Sequence, residues 1–197
     1  MDFIKATDLN FCPRKQLSHI FVEGFYEWLK YFKKDKDMLK EVFRHVFLLE
    51  YFYVALEKGE KIAATTACTS GFSPIALERA EFVRVLGFWR GSFMYFMLRR
   101  QMVRNSYPFT LSKSTGTLEF VATEPEYRHQ GVAYALLSHI MEAESYDAYV
   151  LEVADTNKNA RLLYEKLGFV EIKSVKAPRG SGVGDFLYMR KTKDSIE

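Results

Sequence analysis

Apolar positions in this 197-residue chain recur first at helical spacing and then in short alternating runs, and the change of period marks out its elements. Residues 3–7 read as a short strand. Pro13 suits a helix start, and Leu17, Ile20, Phe21, Trp28 and Leu29 follow at steps that keep one helix face apolar. A second helix is predicted from Asp35 to about Leu49, with Leu39, Val42, Phe43, Val46 and Phe47 on its inner side. The stretch YFYVALEKGEKIAATTACTS then has aromatic and β-branched runs on either side of Glu57-Lys58-Gly59-Glu60. That is the pattern of a hairpin whose tight turn uses a glycine at positive φ.

Residues 74–104 return to helical spacing. Phe82, Leu86, Trp89, Phe93 and Met97 form a stripe at steps of four, three, four and four, and the stripe is expected to cover a sheet or helix face. Phe88, Tyr95 and Phe96 fall off it, and Gly87 or Gly91 marks where the helix can break. Thr117–Thr123 reads as a strand stopped by Pro125. A helix from Gln130 to Glu144 follows, with Val132, Leu136, Leu137 and Ile140 inward, and then a strand from Ala148 to Ala154. Strand, helix and strand in that order imply parallel pairing through a right-handed crossover. Asn159–Leu167 is a short helix with Ala160, Leu163, Tyr164 and Leu167 in step, ended by Gly168. Strands at Val170–Val175 and Asp185–Lys191 flank the loop APRGSGVGDF, where Arg179 and Asp185 are candidates to touch a substrate. The expectation is one mixed α/β domain over residues 1–197, with a helical insertion at about 74–114.

Composition narrows the class. With 48% apolar and 27% charged residues, the chain can bury a core and is not disordered. Arg90, Arg99 and Arg100 keep its greasiest stretch far below the ~20 apolar residues of a membrane span. Residues 1–7 hold no apolar signal core, so a cytoplasmic protein is expected. Cys12 and Cys68 form no paired motif, and His19, His45, His129 and His139 are scattered, so no metal is expected. The net charge of +3 is local in origin. Residues 74–110 carry six Arg against Glu78 and Glu81, or +4, which leaves −1 for the remainder.

The stretch EYRHQGVAYALL, residues 126–137, carries the first candidate chemistry. A helix start leaves N–H groups unpaired and carries partial positive charge, so it can hold a phosphate where the first turn presents small residues. Gly131 and Ala133 supply the small residues, and Arg128 and His129 add positive character. The alternative is that Gly131 and Ala133 merely let the helix pack close to its strand. A single glycine does not make a dinucleotide-binding fingerprint, and the Gly-Lys-Ser/Thr of a nucleotide-binding loop is missing.

In context these residues resemble the GNAT superfamily of acetyl-CoA-dependent N-acyltransferases. Arg128, Gly131 and Ala133 within VATEPEYRHQGVA match its cofactor loop, Arg/Gln-x-x-Gly-x-Gly/Ala. The phrase LEVADTNKNARLLYEKLGF looks like its second conserved block, through Asn157, Ala160, Leu163, Tyr164, Gly168 and Phe169. The resemblance implies a mostly antiparallel mixed sheet with a central splayed parallel pair, flanked by helices, and acetyl-CoA as co-substrate. It further implies that Val121 and Thr123 offer backbone to the cofactor arm, and that His129, Gln130, Gly131, Val132 and Ala133 give N–H groups to its pyrophosphate. Asn157, Ala160 and Tyr164 would lie along the arm. The insertion has no counterpart in typical members.

Transfer from a thioester to an amine needs a neutral nucleophile, so the incoming ammonium must lose a proton. Glu152 and Glu119 are the candidate bases, with a water chain as a third route; strand alternation would put Glu119 on one face with Val121 and Thr123. Tyr164 resembles the family's general acid, which protonates the departing thiolate. Cys68, a small residue within a strand, is set aside as an acyl carrier. The expected partners are acetyl-CoA and an amine acceptor, most simply a small molecule, with a protein N-terminus or lysine as the alternative and a non-catalytic acyl-CoA sensor as a further one. The insertion either covers a core face, roofs the acceptor pocket, joins a homodimer through residues 74–104, or meets a membrane surface. No nucleic-acid motif occurs.

Overall fold

The structure is a computed structural model and describes residues 1–100, 107–177 and 183–193. Its centre is a seven-stranded sheet in the order β1-β2-β3-β4-β5-β7-β6. The strands are β1 (Asp2–Lys5), β2 (Phe52–Glu57), β3 (Lys61–Thr69), β4 (Thr115–Thr123), β5 (Ala148–Ala154), β6 (Val170–Lys176) and β7 (Asp185–Thr192). All neighbours are antiparallel except β4 and β5, joined in parallel through the crossover helix α5 (Val132–Ala143). The expected fold class, including the parallel pair, is present.

Helices α1 (Arg14–Leu29) and α2 (Lys36–Phe43) cover one face of β1 to β4. Their core joins Leu17, Phe21, Leu39 and Phe43 to Phe52, Val54 and Ala122 of the sheet. The other face packs against α5 and α6 (Lys158–Lys166), through Leu136, Ile140, Tyr149, Leu151, Val153 and Tyr164. Phe21 is fully buried and its ring meets those of Phe25, Phe43, Phe47 and Phe120. Phe21→Ala is expected to lower stability by about 3–5 kcal/mol, read as a shifted midpoint in urea unfolding.

Two predicted helices change shape. The second helix ends at Phe43 rather than near Leu49. Val46 and Phe47 are buried as expected, but their backbone bonds to the start of the insertion. Ala76 N–H donates to Val46 O at 2.8 Å, Leu48 N–H donates to Pro74 O at 3.1 Å, and Phe47 bridges Ile75. The insertion's helix breaks at Gly87 (φ 80°) into α3 (Arg79–Leu86) and α4 (Phe88–Leu98). The rest of that predicted helix, 101–104, lies outside the described residues, as does Arg179.

The break overturns the predicted stripe. Phe82 of α3 is buried, but in α4 the inner residues are Gly91, Met94 and Leu98, while Trp89, Phe93 and Met97 are exposed. Gly91 is the reason for that rotation. A Cβ there would come within 2.4 Å of the Phe82 carbonyl oxygen, so only glycine lets α4 press this side onto α3.

The hairpin turn is as expected and uses two left-handed residues, Lys58 (φ 50°) and Gly59 (φ 76°), which suits the twist of its strands. In β4 regular alternation fails. Ala67 faces Glu119 and Thr65 faces Ala122, so the strand carries an extra residue, and Phe120 takes φ 55°. A bulky residue in the left-handed region costs of order 1–3 kcal/mol and persists only where its surroundings enforce it. Here the enforcing contacts are the rings of Phe21 and Phe25.

Candidate active site

The parallel strands β4 and β5 pair only from Thr115 with Ala148 to Thr117 with Val150. Beyond that point Leu118–Thr123 and Leu151–Ala154 are not paired with each other, so this edge of β4 lacks a strand partner and is open to an extended ligand, although Thr123 O already accepts from Arg128 Nε. Both strands run in the same direction, and each leads at its far end into the start of a helix, α5 and α6. Two helix N-termini, with their partial positive charge, therefore stand beyond the open end of the gap.

At the first of these starts, Gly131 (φ 78°) is the residue before α5, and no side chain caps the helix. A Cβ on Gly131 would meet nothing within 4 Å. Close packing onto the strand therefore does not explain the glycine. Its backbone angle and the open space over the first turn do, and both suit a ligand approaching the N–H groups of Val132 and Ala133. His129 also takes a left-handed angle (φ 61°), which bends the loop ahead of that start. Arg128 is turned away to hold the loop: its Nε donates to Thr123 O at 3.1 Å and its Nη2 to Glu23 O at 3.4 Å of α1. Gln130 Nε2 donates to Glu126 O at 2.6 Å. Of the expected phosphate-binding residues, the backbone of 131–133 is free for the task, and the side chains of Arg128 and Gln130 are engaged within the loop.

The extra residue in β4 decides where the candidate bases lie. Val121 belongs to the α5 side of the sheet, whereas Glu119 shares the opposite side with Phe120 and Ala122. The expectation that Glu119 shares a face with Val121 and Thr123 is thus corrected, because the bulge inverts the alternation between them. On β5, Leu151 and Val153 point toward α5, so Glu152 projects to the same side as Glu119. The structure brings the two carboxylates together on one face of the gap.

Aromatic residues line that face. Tyr107 Oη donates to Glu119 Oε1 at 3.4 Å, and Tyr188 stands directly across from Glu152 on β7, where its phenol interacts with that carboxylate. Phe109 completes the cluster, with ring centroids 5.8 Å from Tyr107 and 5.6 Å from Tyr188. Lys173 of β6 donates to Pro108 O at 2.8 Å and so ties this segment across the sheet. Burial drives the Glu119 carboxyl up to about 7; hydrogen bonds from Tyr107 and Thr117 pull it down, and the charge of Glu152 pushes it up. Glu152, open to solvent on one side, is also raised by desolvation, against the pull of the Tyr188 phenol. Tyr107 and Tyr188 are held above the usual phenol range, by burial first and then by these carboxylates.

Tyr164 of α6 lies across the sheet, on the α5 side, in contact with Phe169. Burial raises its pKa, so it stays a protonated phenol at neutral pH. Asn157 caps α6, accepting from Ala160 N–H at 3.2 Å through Oδ1. Cys68 is buried with its thiol pushed up to about 12, which suits packing and not acyl transfer. Asp185 accepts from Ser174 Oγ at 2.9 Å. Among the described residues no group of His, Cys, Asp and Glu is placed to hold a metal ion, and no helix is long and apolar enough to cross a membrane.

Tyr107 and Tyr188 were missing from the sequence-derived site. Tyr188 alternates with Leu187 and Met189, but only the β5–β7 register sets it against Glu152. Tyr107 follows the insertion in the run Tyr-Pro-Phe, and nothing local ties that run to Glu119, twelve residues on.

Comparison with known proteins agrees with the fold. The family model of the acetyltransferase (GNAT) family matches residues 15–169. No curated protein matches the chain. Among solved structures, an N-acetyltransferase from Staphylococcus aureus Mu50 superposes with a TM-score of 0.63 at 13% identity, over 97% of this chain and 100% of that one. The ribosomal-protein-S18-alanine N-acetyltransferase from Escherichia coli gives 0.54 at 17% identity, over 97% and 92%. A GNAT-family acetyltransferase from Streptococcus agalactiae 2603 gives 0.58 at 14% identity, over 98% and 96%. At these identities the likeness to solved structures is one of fold.

Proposed function

The chain belongs to the acetyltransferase (GNAT) family, and from that premise we propose that it moves an acetyl group from acetyl-CoA directly to a primary amine of a small molecule, with Glu119 as the base. The observation that carries the proposal is the pairing of Glu119 and Glu152 on one face of the gap between β4 and β5, under the rings of Tyr107, Phe109 and Tyr188. Acetyl-CoA supplies the activated acyl group. The uncapped start of α5 at Gly131 fits its pyrophosphate, and the unpaired edge of β4, with Val121 and Thr123, fits its extended arm. Asn157 and Ala160 flank the arm on the α6 side.

An amine arrives as an ammonium ion. The carboxylates attract it, and aromatic faces add a cation–π contribution of about 0.5–2 kcal/mol. Glu119, with its pKa near 7, takes the ammonium proton at neutral pH without holding it too strongly to release it again. The freed nitrogen lone pair forms the new bond to the acyl carbon as the carbon–sulfur bond breaks. Tyr164 supplies a proton to the departing sulfur from the opposite face, and the acylated nitrogen sheds its second proton through water to the phenolate this leaves, so that one proton remains on Glu119 for release to solvent. The wall formed by Tyr107, Pro108 and Phe109 favours a compact acceptor over a peptide laid in an open groove.

Thiol release from acetyl-CoA, followed over small amines and over peptides with free N-termini or lysines, tests this choice. Release with small amines alone supports it; release with peptides alone moves the acceptor to a protein. Tyr164→Phe is expected to slow turnover by roughly ten-fold or more while acetyl-CoA binding, measured by calorimetry, stays intact. Tyr107→Phe removes a hydrogen bond that favours the charged form of Glu119. The carboxyl pKa should rise, and the acidic limb of the kcat/KM profile should move to higher pH. A limb that stays in place would separate Tyr107 from the proton acceptor.

A further inference from the structure

We propose that α4 is a docking surface for an anionic lipid bilayer, lying in the headgroup plane with its aromatic rings inserted. The helix is held from beneath by Gly91, Met94 and Leu98, yet its outward side carries large apolar groups. Trp89 is 83% exposed, Phe93 64%, Phe96 57% and Phe88 56%, and Met97 stands among them. A concentration of open rings on one helix goes beyond the scattered single hydrophobics that any soluble surface tolerates.

Charge selects the occupant. From residue 82 to residue 118 the sequence has no Asp or Glu, while Arg84, Arg90, Arg99, Arg100, Arg104 and Lys113 fall within it. Arg84 is neutralised by Glu41 and Glu81. Arg90, with Lys33 of the neighbouring chain segment, lines the cleft that also holds Phe32, Leu86, Trp89 and Phe93. Arg99 and Arg100 are exposed at the end of the helix. Arg79 lies over the rings of Phe88 and Phe96, at 5.3 and 5.9 Å from their centroids. A two-fold dimer through this face would bring the same cations against themselves. An acidic bilayer instead offers negative headgroups to the arginines and an apolar layer to the rings, the pairing that interfacial helices use. Tryptophan in particular prefers that boundary.

The test is flotation of the full chain with vesicles of phosphatidylcholine alone and of phosphatidylcholine with phosphatidylglycerol, together with tryptophan fluorescence. Trp89 is one of two tryptophans, so Trp28→Phe leaves it as the single reporter. Binding is expected to the anionic vesicles only, with a blue shift of Trp89. Raising salt to about 0.5 M, where screening shortens to a few Å, should weaken it strongly. Trp89→Ser with Phe93→Ser, and separately Arg99→Glu with Arg100→Glu, should each reduce the bound fraction at least ten-fold while the circular dichroism spectrum is unchanged. No binding to anionic vesicles, or binding that both double variants retain, overturns the proposal. So does a concentration-dependent dimer, seen by light scattering and abolished by the Trp89 and Phe93 substitutions without any vesicle binding, which would assign the face to a second copy.

Discussion

Glu119→Gln is expected to lower kcat at neutral pH by about 10²–10⁴-fold, the usual contribution of a positioned acid or base, and to leave acetyl-CoA affinity unchanged. Glutamine keeps the shape of the side chain but cannot accept a proton, so the loss reports base function and not packing. The same proton sets the pH dependence of the native protein. Glu119 is active when deprotonated, and its pKa lies near 7, so kcat/KM should fall ten-fold per unit as pH drops below that value. Glu152→Gln is expected to shift the limb the other way from Tyr107→Phe. Removing a neighbouring negative charge makes ionisation of Glu119 easier, so the acidic limb should move to lower pH with only a modest loss of rate. A large loss in Glu152→Gln together with a mild one in Glu119→Gln would exchange their roles.

Gly131→Glu should abolish tight acetyl-CoA binding. A carboxylate within ~4 Å of a phosphate group repels it by about 4 kcal/mol at an effective dielectric of 20. That corresponds to a loss in affinity on the order of 10²–10³-fold. The backbone angle adds its own effect, since an L-residue at φ 78° is disfavoured by ~1–2 kcal/mol. Gly131→Ala separates the two, for it carries the strain without the charge or reach, and a Cβ there meets open space. Alanine should keep most of the affinity and glutamate almost none, by calorimetric titration. Equal affinities in both variants would move the pyrophosphate to another part of the surface.

How far the sequence revealed this site depended on whether the signal was local. Gly131 and Ala133 were legible because a helix start that receives an anion imposes small residues at fixed offsets, and the open space over Gly131 supports that use over close packing. Glu119 and Glu152 were named, but their shared face was not derivable. Period-two alternation assumes one residue per position, and the extra residue at Phe120 reverses the facing of everything beyond it. Arg128 looked like a phosphate ligand from its charge, whereas its reach to Thr123 and Glu23 depends on how α1 packs beside the loop.

The insertion misled for a related reason. Its apolar stripe was regular across Gly87, but a glycine at positive φ resets the helix direction, and Gly91 then fixes which side faces inward. Tyr107 needed the tertiary path of the chain, because its partners Glu119, Phe109 and Tyr188 come from different elements. The β2–β3 hairpin and the parallel β4–β5 pair, by contrast, were set by short-range features, the Lys58-Gly59 turn and the strand-helix-strand unit around α5.

The most direct measurement is thiol release from acetyl-CoA with a panel of small primary amines, paired with mass spectrometry of the acceptor and repeated on Glu119→Gln. Acetyl transfer predicts one acetylated amine for each thiol released, dependence on the acceptor, and near-complete loss in the variant. Tight acetyl-CoA binding with no acceptor-dependent thiol release, from small amines or from peptides, would contradict transfer and leave a protein that only holds the thioester.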